Sequence, residues 1–314
     1  MIIYDTKNWG ATLLKLYLSF NKAFTTRVLF KYIFYISIYT TAVVTFDLLV
    51  LPTPIKVEPL FFSLLGVILS LMLVFRLNTS YSKWWEGRVA WGTLVNHSRV
   101  LAAQLHAILP KEAQTERKYF AAQIANFAYM LQSHLRGAKN WHEIEPLGKD
   151  YLASLQKSKN VPYAIATQIL QRIEEHIKNN TLHPMDKQPL FHQVETMINV
   201  MGMCERIKNT PIPFSHSSYI KTFILIYILT LPFGLVSTLV YYTIPTVALI
   251  AYALVGVEVV SEEVEEPFGT EANDLPLLQL SKVIKNSVFE ALNCSYEIEI
   301  TDVEINTKFI QIVR

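Results

Sequence analysis

The sequence is short of charge. Asp, Glu, Lys and Arg make up 17% of its 314 residues, against 51% hydrophobic, whereas soluble domains carry roughly a quarter charged residues. The chain lacks the polar surface a water-soluble monomer needs, so insertion into a lipid bilayer is the first expectation. A basic excess is missing too: the formal charge is +2, and no basic stripe is interleaved with aromatics, which argues against a nucleic-acid partner. The two cysteines, Cys204 and Cys294, have no CxxC spacing. Neither a disulfide framework nor a zinc site is therefore expected, and both read as inert packing residues. HExxH, GxSxG and a phosphate-cradling glycine loop are absent, and the eight histidines are scattered, so an enzyme is disfavoured. The N-terminus has no basic stretch leading into an apolar core and a small-residue cleavage site, so no cleaved signal peptide is expected.

Long apolar runs are what the chain does have. A helical span needs about 20 mostly apolar residues, and four stretches qualify or nearly qualify: Val28 to Leu51, Pro59 to Phe75, Tyr219 to Tyr242 and Ile244 to Val260. The first carries Lys31 and Asp47 near its ends, where charges reach the interfaces. Short connections join the four into two hairpins. Lysines and arginines flank the first hairpin on the side of the termini, which the positive-inside rule makes the cytoplasm. The expected class is an all-α membrane protein with a cytoplasmic N-terminal segment (1–27), a first hairpin (28–75), a cytoplasmic helical bundle (76–218), a second hairpin (219–260) and a cytoplasmic C-terminal segment (261–314). The bundle follows from apolar residues spaced by three and four in "ERKYFAAQIANFAYMLQSHLRG" and "VPYAIATQILQRIEEHIKN".

Three stretches carry more than composition. Leu60, Leu64 and Ile68 recur every four residues and form one helical stripe; such a stripe serves lipid contact or packing, or, repeated around a symmetry axis, a dry constriction. "TLPFGL" puts Pro232 and Gly234 in mid-span, where Pro removes a helical hydrogen bond. "FRLNTSYSKWWEGRVAW", Phe75 to Trp91, mixes Arg76, Lys83, Glu86 and Arg88 with three tryptophans. It reads as the corner where a helix leaves the bilayer, with interfacial tryptophans and a break or bend at Asn78, Thr79, Ser80 and Ser82.

The order of residues in "FRLNTSYSKWWEGRVAWGTLVNHSR" closely resembles the bestrophin family, especially its bacterial branch. "EVEEPFGTEANDLPL", about 180 residues later, resembles that family's segment after the last membrane helix, and "IPFSHSSYIKTF" and "LPFGL" agree. The resemblance implies a homopentamer with four membrane helices per subunit in the bacterial inner membrane, passing small monovalent ions along the fivefold axis. It places the hydrophobic neck at Leu60, Leu64 and Ile68, and a second, cytoplasmic constriction near Met185. Eukaryotic members hold calcium after "PFG"; here Glu271 and Asp274 keep carboxylates while Thr270, Ala272 and Asn273 depart from the acidic run, so a reduced site at most is implied and no cofactor is expected. Arg76, Glu262, Glu263 and Glu266 are candidate vestibule charges. Family membership favours chloride narrowly; a cation channel of the same architecture, an alternating-access transporter and a membrane scaffold remain alternatives.

Overall fold

The computed structural model describes residues 2–4, 24–50, 57–138, 140–148, 151–271, 273–294 and 310–312. Nine α-helices are described: α1 (Phe24–Leu49), α2 (Pro59–Ile108), α3 (Gln114–Leu135), α4 (Tyr151–Gln156), α5 (Val161–Lys178), α6 (Lys187–Asn209), α7 (Phe214–Leu239), α8 (Thr243–Glu265) and α9 (Leu277–Ala291). Strands β1 (Ile2–Tyr4) and β2 (Ile310–Ile312) pair antiparallel, with Ile2 opposite Ile312, a small addition to the all-helical expectation.

Two apolar cores share one helix. Phe62, Leu69 and Leu73 of α2 pack with Ile220, Ile224, Tyr227, Ile228 and Leu231 of α7 and with Val247 and Ala251 of α8. Farther along α2, Trp91, Leu94, Leu101 and Leu105 join α3, α5, α6 and α9 in the second core. Buried positions on α2 therefore recur at 62, 69, 73, 76, 80, 87, 90, 91 and 94, a helical period sustained across both bodies.

That continuity corrects one expectation. α2 runs unbroken for 50 residues, about 75 Å at 1.5 Å per residue, with no break at Asn78 to Ser82. The hydroxyls there do not compete with the helix: Thr79 donates to the Phe75 carbonyl at 2.9 Å and Ser82 to the Asn78 carbonyl at 2.8 Å, the i−4 back-bonding a helix accommodates. The tryptophans separate as well. Trp85 is exposed, Trp84 donates from Nε1 to the Asn273 carbonyl at 3.0 Å, and Trp91 is fully buried in the second core.

The first two apolar stretches are consecutive in sequence, yet α1 packs chiefly on α8 and α7, while α2 packs on α6, α8, α9 and, less extensively, α7. The connection expected between them lies, at residues 51–56, outside the described residues. α1 approaches α8 where Leu29 faces Gly256, and Tyr39 Oη donates to the Leu229 carbonyl of α7 at 2.9 Å. That bond sits one residue from the carbonyl Pro232 deprives of its N–H. α7 and α8 are joined by a 3₁₀ turn, Val240–Tyr242, whose first residue has φ +50°, a conformation β-branched residues rarely adopt.

In the helical bundle between α2 and α7, α3 is buried over most of its length. Arg117, itself buried, donates to the His106 carbonyl at 3.1 Å and the Leu109 carbonyl at 2.6 Å, so a cation caps the unsatisfied carbonyls at the end of α2. Glu116 at the start of α3 pairs with Arg172 and with His176 of α5. Burial pushes the Glu116 carboxyl up, but the hydrogen bonds from Arg172 and His176 outweigh it and leave it below its usual value. A carboxylate with a depressed folded pKa stabilises above its unfolded value and loses that contribution as pH falls through the folded one. Glu116→Gln is expected to lower stability at pH 7 by about 1 kcal/mol, given a half-exposed pair. In thermal melts, the gap between variant and wild type should close as pH falls below about 4.

Candidate functional site

On α2 the face opposite the first core is open. Leu60, Leu64 and Ile68 are 62%, 59% and 51% exposed, and Leu71 and Phe75 continue the same line. The stripe expected to form the neck is thus a solvent- or partner-facing surface of the chain. No charged residue lies between Pro59 and Phe75.

The buried side of this helix is seated by small residues. A Cβ on Gly234 of α7 would collide with the Phe62 ring, and one on Gly66 of α2 would stand 3.0 Å from Tyr227 Oη. Two glycines thus let α2 and α7 approach closely, the usual way membrane helices gain packing contact. Phe62 and Gly66 alternate with Leu60, Leu64 and Ile68 along the helix, so the same segment is fixed behind and open in front. The sequence marked Gly234 only as part of a kink; Phe62 carried no signal at all.

Arg76 departs from the expected vestibule. Its side chain is 1% exposed and cannot face an aqueous passage. Nη2 lies 2.8 Å from Glu265 Oε2, and Nε lies 3.6 Å from Glu258 Oε2. Glu258 and Glu265 are seven residues apart on α8, so they lie on one face and close over Arg76. Glu265 also accepts the Ile212 N–H at 2.8 Å and lies 3.8 Å from Lys83 Nζ. These charges bind α2, α8 and the connection before α7 to one another. The seven-residue spacing of the glutamates was the available signal.

The remaining acidic candidates lie elsewhere. Glu262, which pairs with Lys221 at 2.9 Å, lines a groove of about 1290 Å³ with Glu263, Glu266, Tyr32, Tyr35 and Tyr39. None of Leu60, Leu64 and Ile68 belongs to that lining. The acidic groove and the apolar stripe are separate surfaces of the chain.

The turn after α8 packs on α2: Phe268 and Pro267 contact the position where Gly87 leaves room, and the Leu275 N–H donates to the Pro267 carbonyl at 2.9 Å. Asp274 is buried, and its Oδ2 accepts the Glu271 N–H at 2.6 Å. Burial pushes the Asp274 carboxyl up, with Glu263 adding to the effect against that hydrogen bond. Burial and the neighbouring Glu263 likewise raise Glu271. Asp274 is thereby engaged in the turn itself, and Glu271 is exposed. Among the described residues no three His, Cys, Asp or Glu side chains converge as a metal site requires.

Met185 sits in a 3₁₀ turn, Pro184–Asp186, immediately before α6, and is 79% exposed. Cys204 is buried and its thiol is pushed up to about 12 by burial, which keeps it protonated and unreactive.

The profile of the bacterial and fungal bestrophin proteins matches residues 3–290. A voltage-dependent anion channel-forming protein of Synechocystis is 34% identical over 232 residues, covering 70% of this chain and 73% of that protein. A protein of the same description from Escherichia coli K12 is 32% identical over 233 residues, covering 71% and 73%. Among solved structures, a bestrophin homologue from Klebsiella pneumoniae superimposes with a TM-score of 0.76 at 26% identity, covering 85% of this chain and 98% of that one.

Proposed function

This chain belongs to the bacterial and fungal bestrophin family, and from that membership we propose that it is a passive channel for small monovalent anions. In this reading it forms a homopentamer in the inner membrane, both termini cytoplasmic, with α2 of each subunit lining one axial pore. The observation that carries it is the stripe of Leu60, Leu64 and Ile68, open to the outside on an uncharged helix segment whose opposite face, at Phe62, Leu69 and Leu73, is buried. Five copies around an axis would form three apolar rings, a constriction that excludes hydrated ions until it widens. A heterologous contact repeated around a closed ring supplies the symmetry. Met185, exposed at the head of α6, is the proposed second constriction. The relatives described as anion channel-forming support the sign of the permeating ion. The reading includes no bound calcium and no catalytic step.

The test is conductance of purified protein in planar bilayers under a KCl gradient. The wild type should reverse near the chloride equilibrium potential. Replacing Leu60, Leu64 and Ile68 together by Ala should raise unitary conductance several-fold, because smaller side chains widen the rings and admit water. Currents identical to wild type would remove the neck from the pathway, and reversal near the potassium potential would overturn the anion assignment.

A further inference from the structure

The exposed stripe of α2 does not stop at Phe75. Asn78 follows Leu60 by 18 positions, about five turns at 3.6 residues per turn, so on an unbroken helix it has the same azimuth. Ser82 stands in the same relation to Leu64. Both are exposed. Leu60, Leu64, Ile68, Leu71 and Phe75 are all apolar, which makes Asn78 the first polar side chain on this line toward the cytoplasmic bundle.

The exposed Thr79 and Ser82 hydroxyls beside it have spent their donors. The Thr79 and Ser82 hydroxyl protons go to the Phe75 and Asn78 carbonyls, and Ser70 donates to the Gly66 carbonyl at 2.7 Å. Hydroxyls held this way offer only acceptor lone pairs outward. The charged groups close in sequence are also engaged: Arg76 with Glu258 and Glu265, Lys83 with Glu265 and the Thr210 carbonyl, and Glu86 with Arg206. The Asn78 carboxamide has no partner among the described residues, and its NH₂ carries two donors. Resting on the reading of α2 as the pore lining, we propose that Asn78 is a selectivity-determining residue, forming an amide collar at the inner mouth of the neck. The collar gives a small, weakly hydrated monovalent anion its first N–H donors as it leaves the apolar rings. Five amides that turn their NH₂ groups to the axis would favour an anion without binding it tightly, which suits rapid passage.

The experiment is the reversal potential and unitary conductance of Asn78→Asp and Asn78→Leu in planar bilayers under a KCl gradient, beside wild type and the triple alanine neck variant. Asn78→Asp places five carboxylates at the mouth and should move the reversal potential toward that of potassium. Asn78→Leu should lower anion conductance several-fold. Wild-type behaviour in both variants, with raised conductance in the neck variant, would overturn the collar and leave the neck intact. A neck variant that also conducts as wild type would overturn the reading of α2 beneath it. Should either Asn78 variant fail to assemble, Asn78→Cys treated with a cationic methanethiosulfonate decides the matter. Currents reduced in that variant, and not in wild type treated in parallel, support the collar, and an unmodified current removes it.

Discussion

Gly234→Val is expected to abolish normal conduction and to lower the thermal stability of the detergent-solubilised protein. The valine Cβ would occupy space held by the Phe62 ring, and neither group can yield easily, since the ring is buried between α2 and α7. Overpacking of this kind costs about 1–3 kcal/mol. The functional effect should exceed the stability effect, because Phe62 lies two residues from both Leu60 and Leu64. Any shift that frees the ring moves the stripe as well. Pairing Gly234→Val with Phe62→Ala separates steric conflict from other causes: the double variant should recover stability relative to Gly234→Val alone. If Gly234→Val melts and conducts as wild type, the helix contact does not hold the stripe in place.

Arg76→Leu is expected to have the larger effect on stability. It would leave Glu258, almost fully buried, and Glu265 facing each other without their shared cation. Removing one partner of a buried ion pair costs about 3–5 kcal/mol, because the remaining charge stays desolvated. The loss should appear as poor assembly or a strongly lowered melting temperature. Adding Glu258→Gln and Glu265→Gln to Arg76→Leu should restore much of it, since replacing all charged members of a buried group is far milder than orphaning one. Restoration of the fold without restoration of currents would locate a conduction role in the charges themselves. A single Arg76→Leu variant as stable as wild type would show that the glutamates are solvated in the assembly.

Much of the architecture was legible in the residues. Apolar run lengths located the long apolar helices, and the three- and four-residue spacing located the bundle helices. Leu60, Leu64 and Ile68, which the resemblance assigns to a neck, are exposed on one face of α2. What escaped depended on contacts between distant segments. Arg76 reads as a hydrated juxtamembrane cation until Glu258 and Glu265, some 180 residues later, fold over it. Gly234 reads as a helix weakener until Phe62 is laid against it. The continuity of α2 escaped for a local reason: Asn, Thr and Ser have low helix propensity, and here Thr79 and Ser82 turn their hydroxyls onto carbonyls four residues earlier, within the helix. The order of packing, α1 against α7 and α8 and not against α2, could not be read because a short connection fixes only the ends of two helices.

The unbroken α2 also has a mechanical consequence. Arg76 clamps it 16 residues from Leu60 and 32 from Ile108, so at 1.5 Å per residue the arms on either side are about 24 and 48 Å. A stiff rod pivoting at that clamp is a two-to-one lever. A displacement of about 4 Å at the bundle end becomes about 2 Å at Leu60, in the opposite direction. In the proposed pentamer, the same displacement in every subunit would change the ring diameter by roughly twice that amount. In that reading the fulcrum is electrostatic and the load apolar, and force applied at the distal bundle would reach Leu60, Leu64 and Ile68 without any helix having to unwind.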